Sequence, residues 1–133
     1  MRERVKRTFL DFEKAFNNLK SAVEKAVDDL DIDGTIKRFE LCYELSWKTI
    51  KLYLEDLGII CKSPRDCFKQ AKINNLIEDE VTWIEMIETR NQLVHEYSSD
   101  FSREIFEKIK SDYVMILEEL YKNIKERLEN DLV

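Results

Sequence analysis

Glycine and proline are nearly absent from this sequence, with two glycines and one proline in 133 residues. A sandwich or barrel of many short strands needs more turn-forming material than that. Cysteine is also scarce, and Cys42, Cys61 and Cys67 make an odd number in unrelated contexts. That favours reduced, structural thiols over a redox or metal role. There is a single histidine, so no zinc-finger set can be assembled. Long hydrophobic runs are missing too. No uncharged stretch exceeds about five residues, against the ~20 that a membrane-spanning helix requires. The opening "MRERVKRTFLDFEK" has no apolar core of the signal-peptide kind. The expectation is a cytoplasmic protein with no membrane association.

What remains is rich in helix-forming material. Hydrophobic residues make up 44% and charged residues 38%, the balance of a soluble helical domain and not of a disordered chain. The length fits one domain, residues 1–133, with a substantial core. The formal net charge of −6 argues against broad nucleic-acid binding through a basic surface. No DNA is expected. A small local site for RNA and a basic protein partner both remain open.

Apolar residues recur every three or four positions along most of the chain. Phe9, Phe12, Phe16, Leu19, Val23, Val27 and Leu30 predict a first helix over about 2–30. "DIDG" then breaks the pattern, with Asp33 as the N-cap of a second helix over about 34–57. That helix carries Ile36, Phe39, Tyr43, Trp47, Ile50, Leu54 and Leu57, and Gly58 sits where a left-handed terminating residue belongs. Ser63 and Pro64 suit the cap and first turn of a third helix ending near "INN" at 73–75. A fourth starts near Asp79, with Trp83, Met86 or Ile87, and Leu93 or Val94 inward. "SSDFS" interrupts it, and Ser102 caps a fifth helix through Ile105, Ile109, Tyr113, Ile116, Leu120, Ile124 and Leu128. The expected architecture is all-α: an up-and-down antiparallel bundle of about five helices, forming a dimer that covers leftover apolar faces.

One stretch carries chemistry. "RNQLVHEY" contains Arg90, Asn91, the lone His95, and Tyr97. Arginine presents a fixed fork of donors suited to phosphate, and histidine can move protons. On an unbroken helix Arg90 and His95 stand roughly 140° apart, whereas Asn91 and His95 are i, i+4 neighbours on one side. Fraying near His95 would bring the imidazole and Tyr97 toward Arg90. The ordinary alternative is a surface arginine near Glu88, a histidine capping helix carbonyls and a packed tyrosine. Residue types alone leave both readings open. No spacing here suits a metal, and no cofactor is implied. Phe39, Tyr43 and Trp47 read as core, with Glu40 and Glu44 beside them able to face the same groove but given no catalytic role.

Nearly the whole chain resembles the HEPN superfamily, in its nucleotidyltransferase-substrate-binding branch. The resemblance is carried by "IKRFELCYELSWKTIKLYLEDLG", by "SPRDCFKQA" with "LIEDEVTWIEMIETRN", and by "RNQLVHEYSSD". The superfamily motif falls on Arg90, Asn91 and His95. The longer toxin form, R-x4-H-x-Y, adds Tyr97. The resemblance implies a dimerising helical bundle that pairs with a minimal nucleotidyltransferase. It implies either of two roles. One is the toxin of a toxin–antitoxin pair, a metal-independent endoribonuclease using a composite Arg90/His95 site. The other is a non-catalytic substrate-binding subunit of the transferase. In the toxin reading the partner is the antitoxin, RNA is the substrate, and Tyr97 is the acceptor of a transferred AMP.

Overall fold

The structure is a computed structural model that describes residues 2–96 and 98–130. Within them the chain forms helices α1 (Arg2–Lys25), α2 (Asp29–Asp56), α3 (Pro64–Ile73), α4 (Glu80–Leu93) and α5 (Ser99–Lys108). Helix α5 passes through a π turn (Ile109–Tyr113) straight into α6 (Val114–Asn130), making one long rod. Five helical rods, with no strand among the described residues, make an all-α bundle.

Helix α2 is the hub, in contact with α1, α3, α5 and α6. It is buried on more than one face. Ile36, Phe39, Tyr43, Ile50 and Leu54 are buried, and so are Thr35, Cys42, Ser46 and Thr49. The buried hydroxyls stay satisfied by bonding back into their own helix. Thr35 donates to Asp31 O at 2.8 Å, Ser46 to Tyr43 O at 2.6 Å and Thr49 to Leu45 O at 2.7 Å. A chain of rings ties the hub to its neighbours. Tyr113 of the π turn stacks on Phe39 at 5.3 Å, Tyr43 meets Phe68 of α3 edge-on at 6.2 Å, and Phe68 meets Trp83 of α4 at 4.8 Å. On the far side Tyr121 of α6 lies between Phe9 and Phe16 of α1, at 5.6 and 5.5 Å.

The expected stop after α2 is present, with Gly58 at φ 84°, a backbone region that glycine enters without strain. Ser63 caps α3 and Asp79 caps α4. Three expectations need correction. The break between the first two helices lies at 26–28, not at "DIDG", and the N-cap is Asp28, not Asp33. Asp28 Oδ1 accepts from Asp31 N at 2.8 Å while Asp31 Oδ2 accepts from Val27 N at 2.9 Å. This reciprocal cap starts the helix early, so Val27 and Leu30 leave the apolar stripe and stand 89% and 79% exposed. Likewise α5 is capped by Ser98, whose Oγ accepts from Phe101 N at 3.2 Å, and Ser102 lies inside the helix. Finally, Cys61 and Cys67 form a disulfide, and only Cys42 is a free, buried thiol. The turn after Gly58 folds the two cysteines together with a Cα–Cα distance of 5.1 Å, well within bridging reach. Their closeness in sequence conceals a pairing that the turn creates.

Gly34 sits inside α2, where an added Cβ would meet nothing within 4 Å. Gly34→Ala is therefore expected to stabilise the fold by about 0.5–1 kcal/mol, through helix propensity and a less flexible unfolded chain. Urea denaturation checks this. A loss of stability would mean that residue 34 is not in a regular helical turn.

Candidate functional site

Helix α4 is fixed at its start by Asp79. The Asp79 carboxylate accepts from Thr82 N at 2.9 Å and from Thr82 Oγ1 at 2.6 Å, and these bonds hold its carboxyl below the usual carboxylate range. Its inner face presents Trp83, Met86 and Thr89, all buried. In mid-helix a polar network locks it to the π turn. Tyr113 Oη donates to Glu85 Oε1 at 2.9 Å. A hydroxyl has one proton to give, so Thr89 Oγ1, 2.8 Å away, donates to Tyr113. Lys108 also donates to Glu85. That bond is the main reason the Glu85 carboxyl lies below its ordinary range, with burial opposing it and Tyr113 helping. Burial pushes the Tyr113 phenol upward, so it stays protonated and keeps its donor role.

The motif follows directly. Arg90, one residue beyond Thr89, is half-buried and turns toward α2. Its Nε lies 3.7 Å from Glu44 Oε1. The other oxygen of Glu44 accepts from Trp47 Nε1 at 3.2 Å. Beneath them Tyr43 is buried, which raises its phenol, with Glu44 adding to the rise and Arg90 opposing it. Asn91 and His95 are exposed. The last turn of α4 tightens as the helix ends: Val94 N donates to Asn91 O at 3.3 Å and His95 N to Gln92 O at 3.0 Å. The helix thus stops at Leu93, and His95 stands in the corner leading to α5.

Arg90 and His95 are therefore held by different supports. Within one protomer no side-chain hydrogen bond or ion pair joins Arg90, Asn91 and His95 to one another among the described residues. Tyr97 lies outside the described residues. Sequence reasoning misses Glu44 as a partner of Arg90 and leaves that glutamate without a role, because residues 44 and 90 are related only through the fold.

Beside the corner lies a groove of about 460 Å³ between Asp33, Lys37 and Glu40 of α2, Leu93 and Glu96 at the end of α4, and Ser102 of α5. Three of these side chains are acidic and one is basic, so the groove is unfavourable to a phosphate. The opposite side of the motif differs. Val81, Ile84, Glu88 and Asn91 follow helical spacing along one face of α4, and His95 stands in the corner beyond its end. Val81 is 78% exposed and Ile84 only partly buried. Two aliphatic side chains on the outside of the bundle thus share a face of α4 with Asn91, with exposed Glu88 between them. Among the described residues no group of three His, Cys, Asp or Glu side chains is arranged to hold a metal ion, and no helix is long and apolar enough to cross a membrane.

Comparison with known proteins adds the family context. A family model described as "Nucleotidyltransferase substrate binding protein like" matches residues 7–126. Among solved structures, a protein from Thermus thermophilus is 29% identical, with 88% of this chain and 98% of that chain covered and a TM-score of 0.76. No curated protein sequence matches.

The Glu85 network yields a pH prediction. A carboxyl depressed in the folded state stabilises fully above its unfolded pKa, about 4.3 for glutamate, and that stability is lost as the pH falls through the folded value. The stability gap between wild type and Lys108→Met, read from urea denaturation, is expected to be present at pH 7 and to shrink at pH 3. A gap equal at both pH values would show that Lys108 contributes packing rather than charge.

Proposed function

Since the chain belongs to the nucleotidyltransferase substrate-binding protein-like family, we propose that it works as the partner of a minimal nucleotidyltransferase and is the toxin of that pair. In this reading it is a metal-independent endoribonuclease, and the nucleotidyltransferase is its antitoxin. The observation that carries the reading is the end of α4. There a half-buried arginine, its Nε facing Glu44, and an exposed asparagine stand in the last turns of α4, with an exposed histidine in the corner just beyond.

RNA cleavage by attack of a 2′-hydroxyl asks for a base to take its proton, an acid to protonate the leaving oxygen, and a cation for the crowded phosphate. One chain has one histidine. Two copies joined along the outer strip of α4 bring two, together with two Arg90 guanidinium groups. Arg90 binds the phosphate, the two His95 side chains exchange protons with the attacking and leaving oxygens, and Asn91 orients them. The partly exposed aliphatic strip of Val81 and Ile84 supports a homodimer on this face. Tyr97, two residues from His95, is the proposed AMP acceptor: a bulky anionic adduct there would block RNA and repel its phosphates.

The second reading, a non-catalytic subunit that presents a substrate to the transferase, is favoured by the acidic groove beside His95 and by the net charge of −6.

Induced expression separates the two. Wild type alone is expected to arrest growth, while Arg90→Ala and His95→Ala, each reducing RNA cleavage by about 100-fold or more, do not. Mixing the two inactive purified variants should not restore cleavage, because their heterodimer holds one His95 where the mechanism needs two. Harmless expression of wild type, with a stable complex to the transferase, would establish the binding-subunit reading instead. For the control step, mass spectrometry after incubation with the transferase and ATP is expected to find AMP on Tyr97. A modified residue elsewhere, or none, rejects that mechanism.

A further inference from the structure

A cavity of about 220 Å³ lies between α4, α6 and the segment that joins α3 to α4, and no residue of "RNQLVHEY" lines it. Leu76, Ile77, Ile116 and Leu120, all buried, give it aliphatic walls. Trp83 enters from α4 with its ring against Phe68 at 4.8 Å, and Asn123 enters from α6.

Two polar groups inside are left over. Trp83 is only 1% exposed. Its indole N–H donates to no group among the described residues, whereas that of Trp47 donates to Glu44. Yet among the described residues no side-chain nitrogen or oxygen that is sealed from solvent lacks a partner. The Trp83 N–H is therefore not sealed. The sliver of Trp83 that solvent reaches includes this donor, and the cavity is where Trp83 meets solvent. Asn123 is half-buried, and its Nδ2 donates to Leu76 O at 3.0 Å. That bond orients the amide and leaves Oδ1 as an acceptor without a donor among the described residues. An apolar cavity thus holds one free donor and one free acceptor.

Size and polarity select the ligand. At about 220 Å³ the cavity is smaller than the ~300–1,000 Å³ of pockets for drug-sized molecules. It suits one planar ring system and not a whole nucleotide. A polar group buried without a partner lowers affinity by about fivefold or more, so the ligand should bring one acceptor, one donor group and nothing else polar on that edge. Adenine does this with a ring nitrogen beside its amino group. Guanine adds a second amino group, and cytosine and uracil each add a carbonyl. The exposed lining residues Glu78, Glu119 and Lys122 stand where the cavity opens, and the Lys122 ammonium lies 3.9 Å from Glu118. Carboxylates at the opening accept from ribose hydroxyls and repel a phosphate.

We propose that this cavity binds an unphosphorylated adenine nucleoside, with Trp83 Nε1 donating to a ring nitrogen and Asn123 Oδ1 accepting from the amino group. The proposal uses no residue of the motif and stands apart from the RNA-cleavage reading.

The two tryptophans give two indole N–H signals in a nitrogen–proton correlation spectrum of the full-length chain, and Trp47→Phe identifies the one that belongs to Trp83. Adenosine is expected to shift the Trp83 signal and leave that of Trp47 in place. A Trp83 signal that does not move up to the solubility limit of adenosine overturns the site. Affinities follow from the same signal. Purine riboside, which lacks the amino group, and guanosine and cytidine are each expected to bind about fivefold more weakly than adenosine, or worse. At pH 8, 5′-AMP is expected to bind about twofold more weakly or worse. Asn123→Ala should abolish the preference for adenosine over purine riboside. Equal binding of the two by wild type overturns the role of Asn123, and this comparison decides even where the variant does not fold. Guanosine or cytidine binding as tightly as adenosine overturns the choice of base, and tighter binding of 5′-AMP overturns the choice of an unphosphorylated ligand.

Discussion

The contact between Tyr113 and Phe39 fixes where α4 can sit. Tyr113 stacks on the hub helix with its ring and reaches Glu85 and Thr89 of α4 with its hydroxyl. The π turn makes both possible. The core positions Ile105, Ile109, Tyr113, Ile116, Leu120, Ile124 and Leu128 are mostly four apart, wider than the about 3.6 residues of an α-helical turn. In an unbroken α-helix that stripe would slide around the rod. A turn wound at i→i+5 takes up the excess, and all seven side chains are buried. The same turn that keeps α5 and α6 on one core face therefore delivers the hydroxyl that anchors α4. From Thr89 the anchor passes to Arg90, the next residue, and so to Glu44 on the hub.

Much of this is legible from periodicity, because burial on one face of a helix writes itself into the sequence at fixed spacing. The starts of α2 and α5 are not. Asp33 with Gly34 looks like a break, but Gly34 has an ordinary helical backbone and its neighbours tolerate it. A usable signal does exist. Asp28 and Asp31 stand three apart and cap reciprocally, and Ser63 and Asp66 repeat the device at α3, with Asp66 Oδ2 accepting from Lys62 N at 3.2 Å. Two acidic or hydroxyl residues at that spacing outrank a glycine as a marker of where a helix begins. At α5, Ser98 and Ser102 are equal candidates, and nothing local separates them. The disulfide illustrates a different limit. Whether Cys61 and Cys67 meet depends on the turn after Gly58, not on their separation.

The motif is legible as a set of residue types but not as a geometry. Helical spacing places Asn91 beside His95 and Arg90 away from both, in accord with Arg90 turning inward to α2 while Asn91 and His95 stay exposed. The expected loosening at His95 takes the form of a tightened last turn, with His95 N bonded to Gln92 O. This ends the helix and places the His95 backbone in a hydrogen-bonded corner, with its side chain exposed. Glu44 could not be assigned without the fold, since it stands 46 positions before Arg90 in the chain.

Electrostatics bear on how the proposed chemistry could proceed in an acidic protein. RNA meets carboxylates on the groove side of His95, where Asp33, Glu40 and Glu96 gather. The outer side of α4 carries Asn91, Glu88 and the aliphatic pair Val81 and Ile84, while Arg90 turns toward α2. On this reading the dimer does two things at once. It doubles the guanidinium groups that attract the backbone, and it supplies the second histidine that a single chain lacks. A lone protomer would offer RNA a neutral Arg90–Glu44 pair in an acidic setting, with one proton-transfer group where two are needed. The acidic surface then acts as a safeguard: a site that is weak until assembled leaves the nucleotidyltransferase two independent points at which to block it, the interface along α4 and the residue beside His95.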